Sequence, residues 1–165
     1  PAWFLLAVHL LIFTLVGYLH PAVALHLGII GAGIGFFTLS SGLFFSSICR
    51  KTTTAVMANV ALAGGLWLGI PILAGLTGEQ DLIELVFAFH PIAHVGIALA
   101  GGGGGVHAAR SFASLNYNWP PLAGMEWSGF MATTIVMAIT SLVYACAGLG
   151  FYQMTKQTLR DHIFG

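Results

Sequence analysis

Charged side chains are scarce in this sequence. Asp, Glu, Lys and Arg make up 6% of the 165 residues, whereas 58% of the residues are hydrophobic. A soluble domain carries about 25% charged residues, so this chain could not solvate its surface in water. The composition therefore predicts an integral membrane protein. The net charge of zero leaves no basic face for a nucleic-acid partner.

Several kinds of chemistry lack the residues that they need. Cys49 and Cys146 each lie at the end of an apolar run, which favours free packing thiols over a disulfide or a metal site. The five glycines at 101–105 lack the Gly-Lys-Ser/Thr ending of a phosphate-binding loop. The glycine string at 28–35 resembles a dinucleotide fingerprint, but no βαβ unit surrounds it. We therefore expect no catalytic residue, metal or cofactor in this chain.

Long apolar segments are abundant, and they predict a single all-α domain with four transmembrane helices. The predicted spans cover residues 2–19, 23–49, 54–76 and 127–153. At 1.5 Å per residue, each reaches about the 30 Å thickness of the hydrocarbon core. Pro21 is expected to end the first helix, and Trp127 and Tyr152 suit the two interfaces of the last. Because Pro1 already lies inside an apolar run without a charged leader, we expect further residues upstream.

The few charges divide between two regions and predict which way the spans run. Four of the five cations lie in the 50–53 turn and the tail 154–165, whereas four of the five acids lie in segment 77–126. The positive-inside rule therefore places the turn and the tail in the cytoplasm, and segment 77–126 outside a plasma membrane. Arg50 and Lys51 are the only adjacent cations, and we expect them to anchor the turn to lipid headgroups.

Residues 81–100 form a shorter apolar segment that His90-Pro91 divides into two pieces. A full crossing would reverse the C-terminus, so we predict an outward-facing helical hairpin, re-entrant or interfacial. His90 and His94 have the i,i+4 spacing of a metal-binding pair, but Pro91 makes His90 a helix cap and no carboxylate or cysteine stands at a supporting spacing. Packing roles are therefore favoured. A bis-histidine haem is disfavoured, because no other histidine is expected at the mid-membrane depth of His9.

Small side chains inside the second span mark a candidate helix contact. Gly28, Gly31 and Gly35 are predicted to form a smooth face for close helix packing. The hydroxyl side chains between Thr38 and Ser47 are expected to bond mainly to the helix backbone rather than to line a polar pathway.

Asn59 is the most polar group inside the third span, so it needs a partner or water there. We predict that Asn59 faces a cavity or a subunit interface, and that Gly64 and Gly65 join it as a transport pathway or dimer contact. No Asp, Glu, Lys or Arg lies inside a predicted span, which disfavours proton- or ion-coupled transport through this chain alone.

Three stretches resemble permease subunits of the type-2 ABC exporters. Residues 41–55 (SGLFFSSICRKTTTA) join a Ser-rich helix end to a Thr-rich helix start through two cations. Residues 89–95 (FHPIAHV) resemble the family's short Asn-Pro-Phe-like segment, and residues 152–156 (YQMTK) resemble the basic end of its last helix. The resemblance implies the last four of six helices, an outer re-entrant hairpin, a permease dimer and a separate ATP-binding subunit. The family's first two helices and its coupling helix have no counterpart here.

The resemblance implies a permease subunit of an ATP-driven exporter, without enzymatic activity of its own, in which substrate passes along helix 54–76. The alternative is a permease-like structural subunit of a respiratory or photosynthetic complex, without transport activity. A haem- or quinone-binding subunit of a membrane enzyme is the third hypothesis and ranks last.

Overall fold

The computed structural model describes residues 2–102, 115, 117 and 129–164, and these residues contain helices and no β-strand. The helices are α1 (Ala2–Leu15), α2 (Pro21–Ile48), α3 (Thr52–Gly64), α4 (Ile70–Thr77), α5 (Gln80–Ala88), α6 (Pro91–Gly102) and α7 (Gly129–Phe164). A π-helical turn, Gly65–Gly69, joins α3 and α4 into one long helix. The all-helical prediction is therefore confirmed for the described residues. Arg110, Glu126 and Trp127 lie outside them.

Three helices are long and apolar enough to cross a membrane, and they agree with three of the predicted spans. They are Pro21–Ile48, Thr52–Thr77 and Gly129–Arg160. The predicted span 2–19 is not among them, because the 14 residues of α1 cover only about 21 Å. The bent pair of α5 and α6 would make a fourth span only if it crossed as one unit. These helices are compatible with a multi-pass membrane protein.

A glycine, and not the predicted proline, ends α1. Gly17 has a φ of 85°, and its N–H donates to the Thr14 carbonyl. The Tyr18 N–H donates to the Phe13 carbonyl, and the rings of these two residues pack edge to face. This is the Schellman arrangement, in which a left-handed residue closes a helix C-terminus. Pro21 instead opens α2, where its missing N–H leaves no hydrogen bond unmade.

α2 and α7 form the most extensively packed helix pair among the described residues, and they run in the same direction. The Ser141 hydroxyl donates to the Ile29 carbonyl at 2.7 Å. Further along, the ring centroids of Phe44 and Phe151 lie 5.5 Å apart, so residue numbers rise together along both helices. Buried residues of α2 recur every three or four positions, as on one helix face: His26, Ile30, Gly33, Phe37 and Ser41.

The packing glycine of α2 is Gly33, which the sequence analysis did not single out. A Cβ at Gly33 would lie 2.5 Å from the Ser141 Oγ and 2.6 Å from the Ser141 carbonyl oxygen. At Gly28 an added Cβ would have no atom within 4 Å, so the packing predicted there is not found among the described residues. The reason is rotation: five residues turn a helix by about 140°. Gly31 and Gly35 are half-buried.

α3 returns antiparallel to α2 after a short turn at 49–51. Asn59 accepts a hydrogen bond from Ser41, about equally far from the turn along the other helix. Further along, the Trp67 indole N–H donates to the Tyr144 hydroxyl of α7 at 3.1 Å. Little of this long helix is buried within the chain, so most of its apolar surface is left for lipid or for other chains.

α5 and α6 form a bent pair, with an angle of 75° at the break between them. At the bend, the Thr140 hydroxyl in the middle part of α7 donates to the Ala88 carbonyl at 3.4 Å. At the far end of α6, Gly102 lies directly against Val23 in the first turn of α2. α6 therefore runs back toward the end of the bundle where α4 finishes. These contacts agree with the hairpin predicted over residues 81–100, since a single crossing would leave Gly102 at the opposite end.

The main buried apolar cluster lies where α6 meets the start of α2. It consists of Leu19, Ala22, Val23, Ala98, Leu115, Tyr117 and Met137. Many large apolar side chains elsewhere face outward, for example Leu15, Leu39 and Leu76. A lipid bilayer can cover such a surface without the cost that water would impose.

The charged side chains that the structure describes lie at opposite ends of the bundle. Since α2 and α7 are parallel, one end carries Arg50, Lys51, Lys156 and Arg160, while the other end carries Glu79, Asp81 and Glu84. α7 continues to Phe164, so the described part of the predicted tail 154–165 is helical. The separation agrees with the predicted arrangement of charge, and the side that faces the cytoplasm stays a prediction.

Candidate functional site

Polar side chains of the apolar region meet along one side of α7. We call this set the α7 seam, and it comprises Thr134, Thr140, Ser141 and Tyr144. Each of these side chains is hydrogen-bonded to another helix. Three buried histidines, His26, His90 and His94, bond to the seam or to the helix breaks beside it. The seam is the candidate site because its hydrogen bonds join α7 to three other parts of the described chain.

His26 is fully buried, and both of its ring nitrogens are hydrogen-bonded. The Thr134 hydroxyl donates to the Phe130 carbonyl at 2.8 Å, so its oxygen accepts from His26 Nε2 at 2.9 Å. Nδ1 is then the acceptor for the Tyr117 hydroxyl at 3.2 Å. The rings of Tyr117 and Phe130 each lie 5.2 Å from the imidazole, measured between centroids. This arrangement fits a neutral imidazole that joins α2 to α7.

Tyr117 ties a residue between α6 and α7 to the helix bundle. Its side chain is fully enclosed, and burial raises the pKa of the Tyr117 phenol above its usual range. A raised pKa keeps the phenol protonated at neutral pH. The hydroxyl is therefore a donor to His26 throughout the physiological range.

His90 donates a hydrogen bond to a carbonyl of the long helix Thr52–Thr77 whose α-helical donor is replaced by proline. Pro71 stands four residues after Trp67 and has no N–H, so the Trp67 carbonyl lacks its α-helical donor. His90 Nε2 donates to that carbonyl at 2.7 Å. Its Nδ1 accepts from the Ala93 N–H at 3.3 Å and caps α6, which confirms the predicted cap. One side chain thus joins the π-helical break to the start of α6.

His94 acts at the bend between α5 and α6. It is fully buried, and its Nε2 donates to the Ala88 carbonyl at 2.7 Å. Ala88 is the last residue of α5, so its carbonyl is one of the terminal groups that have no partner within the helix. Thr140 of the α7 seam donates to the same oxygen. The bend is therefore held by two side chains from two helices.

His90 and His94 do not converge on one ligand. Their Nε2 atoms bond to two different carbonyls, those of Trp67 and Ala88. In the part of the chain that the structure describes, no group of three or more His, Cys, Asp or Glu side chains is placed to hold a metal ion. Each of the two histidines instead bonds to the backbone at a helix break or a helix end.

Asn59 finds its partners on α2. The Ser41 hydroxyl donates to Asn59 Oδ1 at 2.7 Å, and Asn59 Nδ2 lies 3.4 Å from the Thr38 carbonyl. The hydroxyls of Thr38 and Ser47 bond to carbonyls of their own helix, as expected for such groups. Asn59 is half-buried between the two helices. Its role in a pathway or a dimer contact stays a prediction.

The remaining predicted residues are half-buried or exposed. An added Cβ at Gly64 or Gly65 would meet no atom within 4 Å. Arg50 and Lys51 are exposed in the turn between α2 and α3. Cys49 is half-buried, Cys146 is exposed, and neither forms a disulfide among the described residues. The pathway role of the glycines and the headgroup role of the cations stay predictions.

Sequence reasoning missed most of the seam. Nothing in the spacing of the chain links His26 to Thr134, which lies 108 positions later. One signal was available: the dipeptide His-Pro occurs at 20–21 and at 90–91. Both histidines cap the helix that follows, since His20 Nδ1 accepts from the Ala22 N–H at 3.1 Å. A repeated His-Pro therefore marked two helix starts.

The hydrogen bonds of the α7 seam join helices to one another. They hold α2, the π-helical turn Gly65–Gly69 and the end of α5 against α7 by bonds to carbonyls, hydroxyls and imidazoles. No protein-family model, curated protein or solved structure matches the chain. Function is therefore inferred from the arrangement of the helices and from what the chain leaves uncovered.

Proposed function

We propose that this chain is a membrane-spanning permease subunit of an ATP-driven type-2 ABC exporter, with no catalysis of its own. The observation that supports this best is the hairpin of α5 and α6, which turns back at the middle of α7 between two long apolar helices. The resemblance at residues 41–55, 89–95 and 152–156 implies an outer re-entrant hairpin at this point of the chain. The proposal includes a plasma membrane location with a cytoplasmic C-terminus.

The long helix Thr52–Thr77 is the proposed contact with a second permease copy. It is scarcely buried within the chain, and Gly64 and Gly65 leave room for another backbone to approach closely. Asn59 lies on the same helix, with its amide already bonded to Ser41. In this proposal, substrate passes along the helix between the two copies, while a separate ATP-binding subunit supplies the energy.

Co-purification tests the exporter proposal directly. A tagged full-length chain is extracted from its native membranes in a mild detergent, and the eluate is analysed by mass spectrometry and for ATP hydrolysis. We expect a Walker-type ATPase to elute with the chain and to hydrolyse ATP. An eluate without such an ATPase, from membranes in which the chain is folded, would contradict the proposal.

A structural subunit of a respiratory or photosynthetic complex is the second candidate. One observation favours it: the hydrogen bonds of His26 and His90 fasten helices to one another, as a rigid scaffold requires. The same purification separates the two candidates. Electron-transfer proteins and a visible absorption spectrum in the eluate would support the structural subunit, whereas an ATPase would support the exporter.

A further inference from the structure

Four cations lie at one end of the bundle, and we call them the cationic rim: Arg50, Lys51, Lys156 and Arg160. The parallel packing of α2 and α7 places all four at the same end. Phe44 of α2 and Phe151 of α7 lie side by side. From these two residues, each helix reaches its first rim cation about six residues later. Lys156 and Arg160 are four residues apart, so they share one face of α7. The rim therefore combines a turn and a helix that are far apart in the sequence.

All four side chains of the rim are exposed. The acidic side chains that the structure describes lie at the opposite end: Glu79, Asp81 and Glu84. The sequence adds Asp161 next to Arg160. Among the side chains that the structure describes, this end therefore carries cations and the other end carries acids.

Along α7, the exposed side chains change from apolar to aromatic to charged. A bilayer changes in the same order, from hydrocarbon to interface to headgroups. Val143 and Leu149 are exposed and apolar, as hydrocarbon requires. Tyr152 follows, in the position of an interfacial aromatic residue, and Lys156 Nζ lies 5.9 Å from the centre of its ring. The rim residues Lys156 and Arg160 come next along α7. This order places the cations where headgroups would meet them.

We propose that the cationic rim binds the headgroups of anionic phospholipids in preference to zwitterionic ones. A guanidinium presents a planar fork of donors that matches phosphate oxygens, and an ammonium adds a mobile point charge. A zwitterionic headgroup carries its own cation, which competes with the rim for the phosphate. The inference does not depend on the exporter proposal, because it concerns the isolated chain and its lipid.

Native mass spectrometry of the purified full-length chain in detergent tests the inference. Phosphatidylglycerol and phosphatidylcholine with the same acyl chains are titrated separately. We expect tighter binding of phosphatidylglycerol, and about a fivefold loss of its affinity for each cation removed. The variant Lys156→Gln/Arg160→Gln should therefore bind it about 25-fold more weakly. Lys156→Arg, which keeps the charge, should bind like the unaltered chain.

The matched control removes two acids from the other end. Glu79→Gln/Glu84→Gln makes the chain more positive without touching the rim, so it should leave the lipid preference unchanged. A rise in affinity in this control equal to the loss in the rim variant would show that only net charge matters, and would overturn the proposal. A second variant, Arg50→Gln/Lys51→Gln, removes the two cations of the turn. If that variant does not fold, Lys156→Gln/Arg160→Gln still tests the proposal, because Lys156 and Arg160 are exposed on α7.

Two further results would also overturn it. One is equal affinity of the unaltered chain for both lipids. The other is displacement of phosphatidylglycerol by equimolar glycerol phosphate, which has the same anionic chemistry without acyl chains. That displacement would identify a soluble anion, and not a lipid, as the ligand of the rim.

Discussion

At the scale of single residues, the carbonyl of Trp67 depends on one side chain. Pro71 leaves it without an α-helical donor, and His90 donates in place of the missing N–H. The same imidazole accepts from Ala93 at the start of α6. A substitution at His90 therefore affects two helices at once.

His90→Phe keeps a ring at this position but removes both hydrogen bonds. We expect the free energy of unfolding to fall by about 1–2 kcal/mol, because two backbone groups lose their partners where water is scarce. Detergent-induced unfolding, followed by circular dichroism, measures the change. His9→Phe is the control: His9 is exposed and bonds only within α1, to Leu5, so it should change stability by less than about 0.5 kcal/mol. Equal losses in the two variants would contradict the role of His90.

Gly33 and Gly28 allow a matched test of the contact between α2 and α7. Gly33→Ala places a Cβ within 2.7 Å of Ser141, including its backbone, so we expect a loss of about 1–3 kcal/mol. Gly28→Ala meets nothing within 4 Å and should be neutral or stabilising by up to about 1 kcal/mol, the helix propensity difference. The same unfolding measurement compares them. A loss at Gly28 as large as that at Gly33 would contradict the packing described here.

At the scale of elements, the break in the long helix and the start of α6 are coupled through His90. Pro71→Ala returns an N–H to the position four residues after Trp67. We expect this change to recover part of the stability that His90→Phe loses, with a coupling energy of about 0.5–1 kcal/mol in a double-mutant cycle. Unfolding of the two single variants and the double variant gives that energy. Strict additivity would show that the carbonyl does not depend on the imidazole.

The elements that local composition controls were predictable from the sequence. Apolar length alone indicated α2, α7 and the long helix Thr52–Thr77, and His90-Pro91 indicated the break in the hairpin. The end of α1 was mispredicted because a proline is a stronger local signal than Gly17, whose left-handed conformation ends the helix. The segment is still helical and apolar, but it is shorter than the prediction required.

The contacts between elements were not predictable in the same way. The regular spacing of Gly28, Gly31 and Gly35 suggested a packing face, but the position of α7 decides which face is covered, and that face contains Gly33. In the sequence, His26 is one of several scattered histidines. The fold brings Tyr117 and Thr134 within hydrogen-bond distance of it. Asn59 was identified because its polarity is a property of one residue, while its partner Ser41 depends on the turn at 49–51.

At the scale of the whole molecule, the two charged ends should lie on opposite sides of the membrane. Single cysteines are introduced at Lys51, Glu79 and Arg160 in a chain carrying Cys49→Ser and Cys146→Ser. In intact cells, a membrane-impermeant maleimide should label position 79. Positions 51 and 160 should be labelled only after the cells are permeabilised. The reason is that α2 and α7 are parallel, so their C-terminal ends share one side. Labelling of positions 51 and 79 to the same extent in intact cells would contradict this arrangement.

The parallel pairing of α2 and α7 has a consequence for biosynthesis. The partners of His26 and Ile29 on α7 lie 108 and 112 positions later in the chain. At ribosomal rates, about 5–20 s separate the synthesis of the two sides of that contact. During this interval α2 stands in the translocon or the lipid without the helix that hydrogen-bonds its buried His26. A nascent chain stalled before α7 is therefore the species that we expect membrane quality control to recognise.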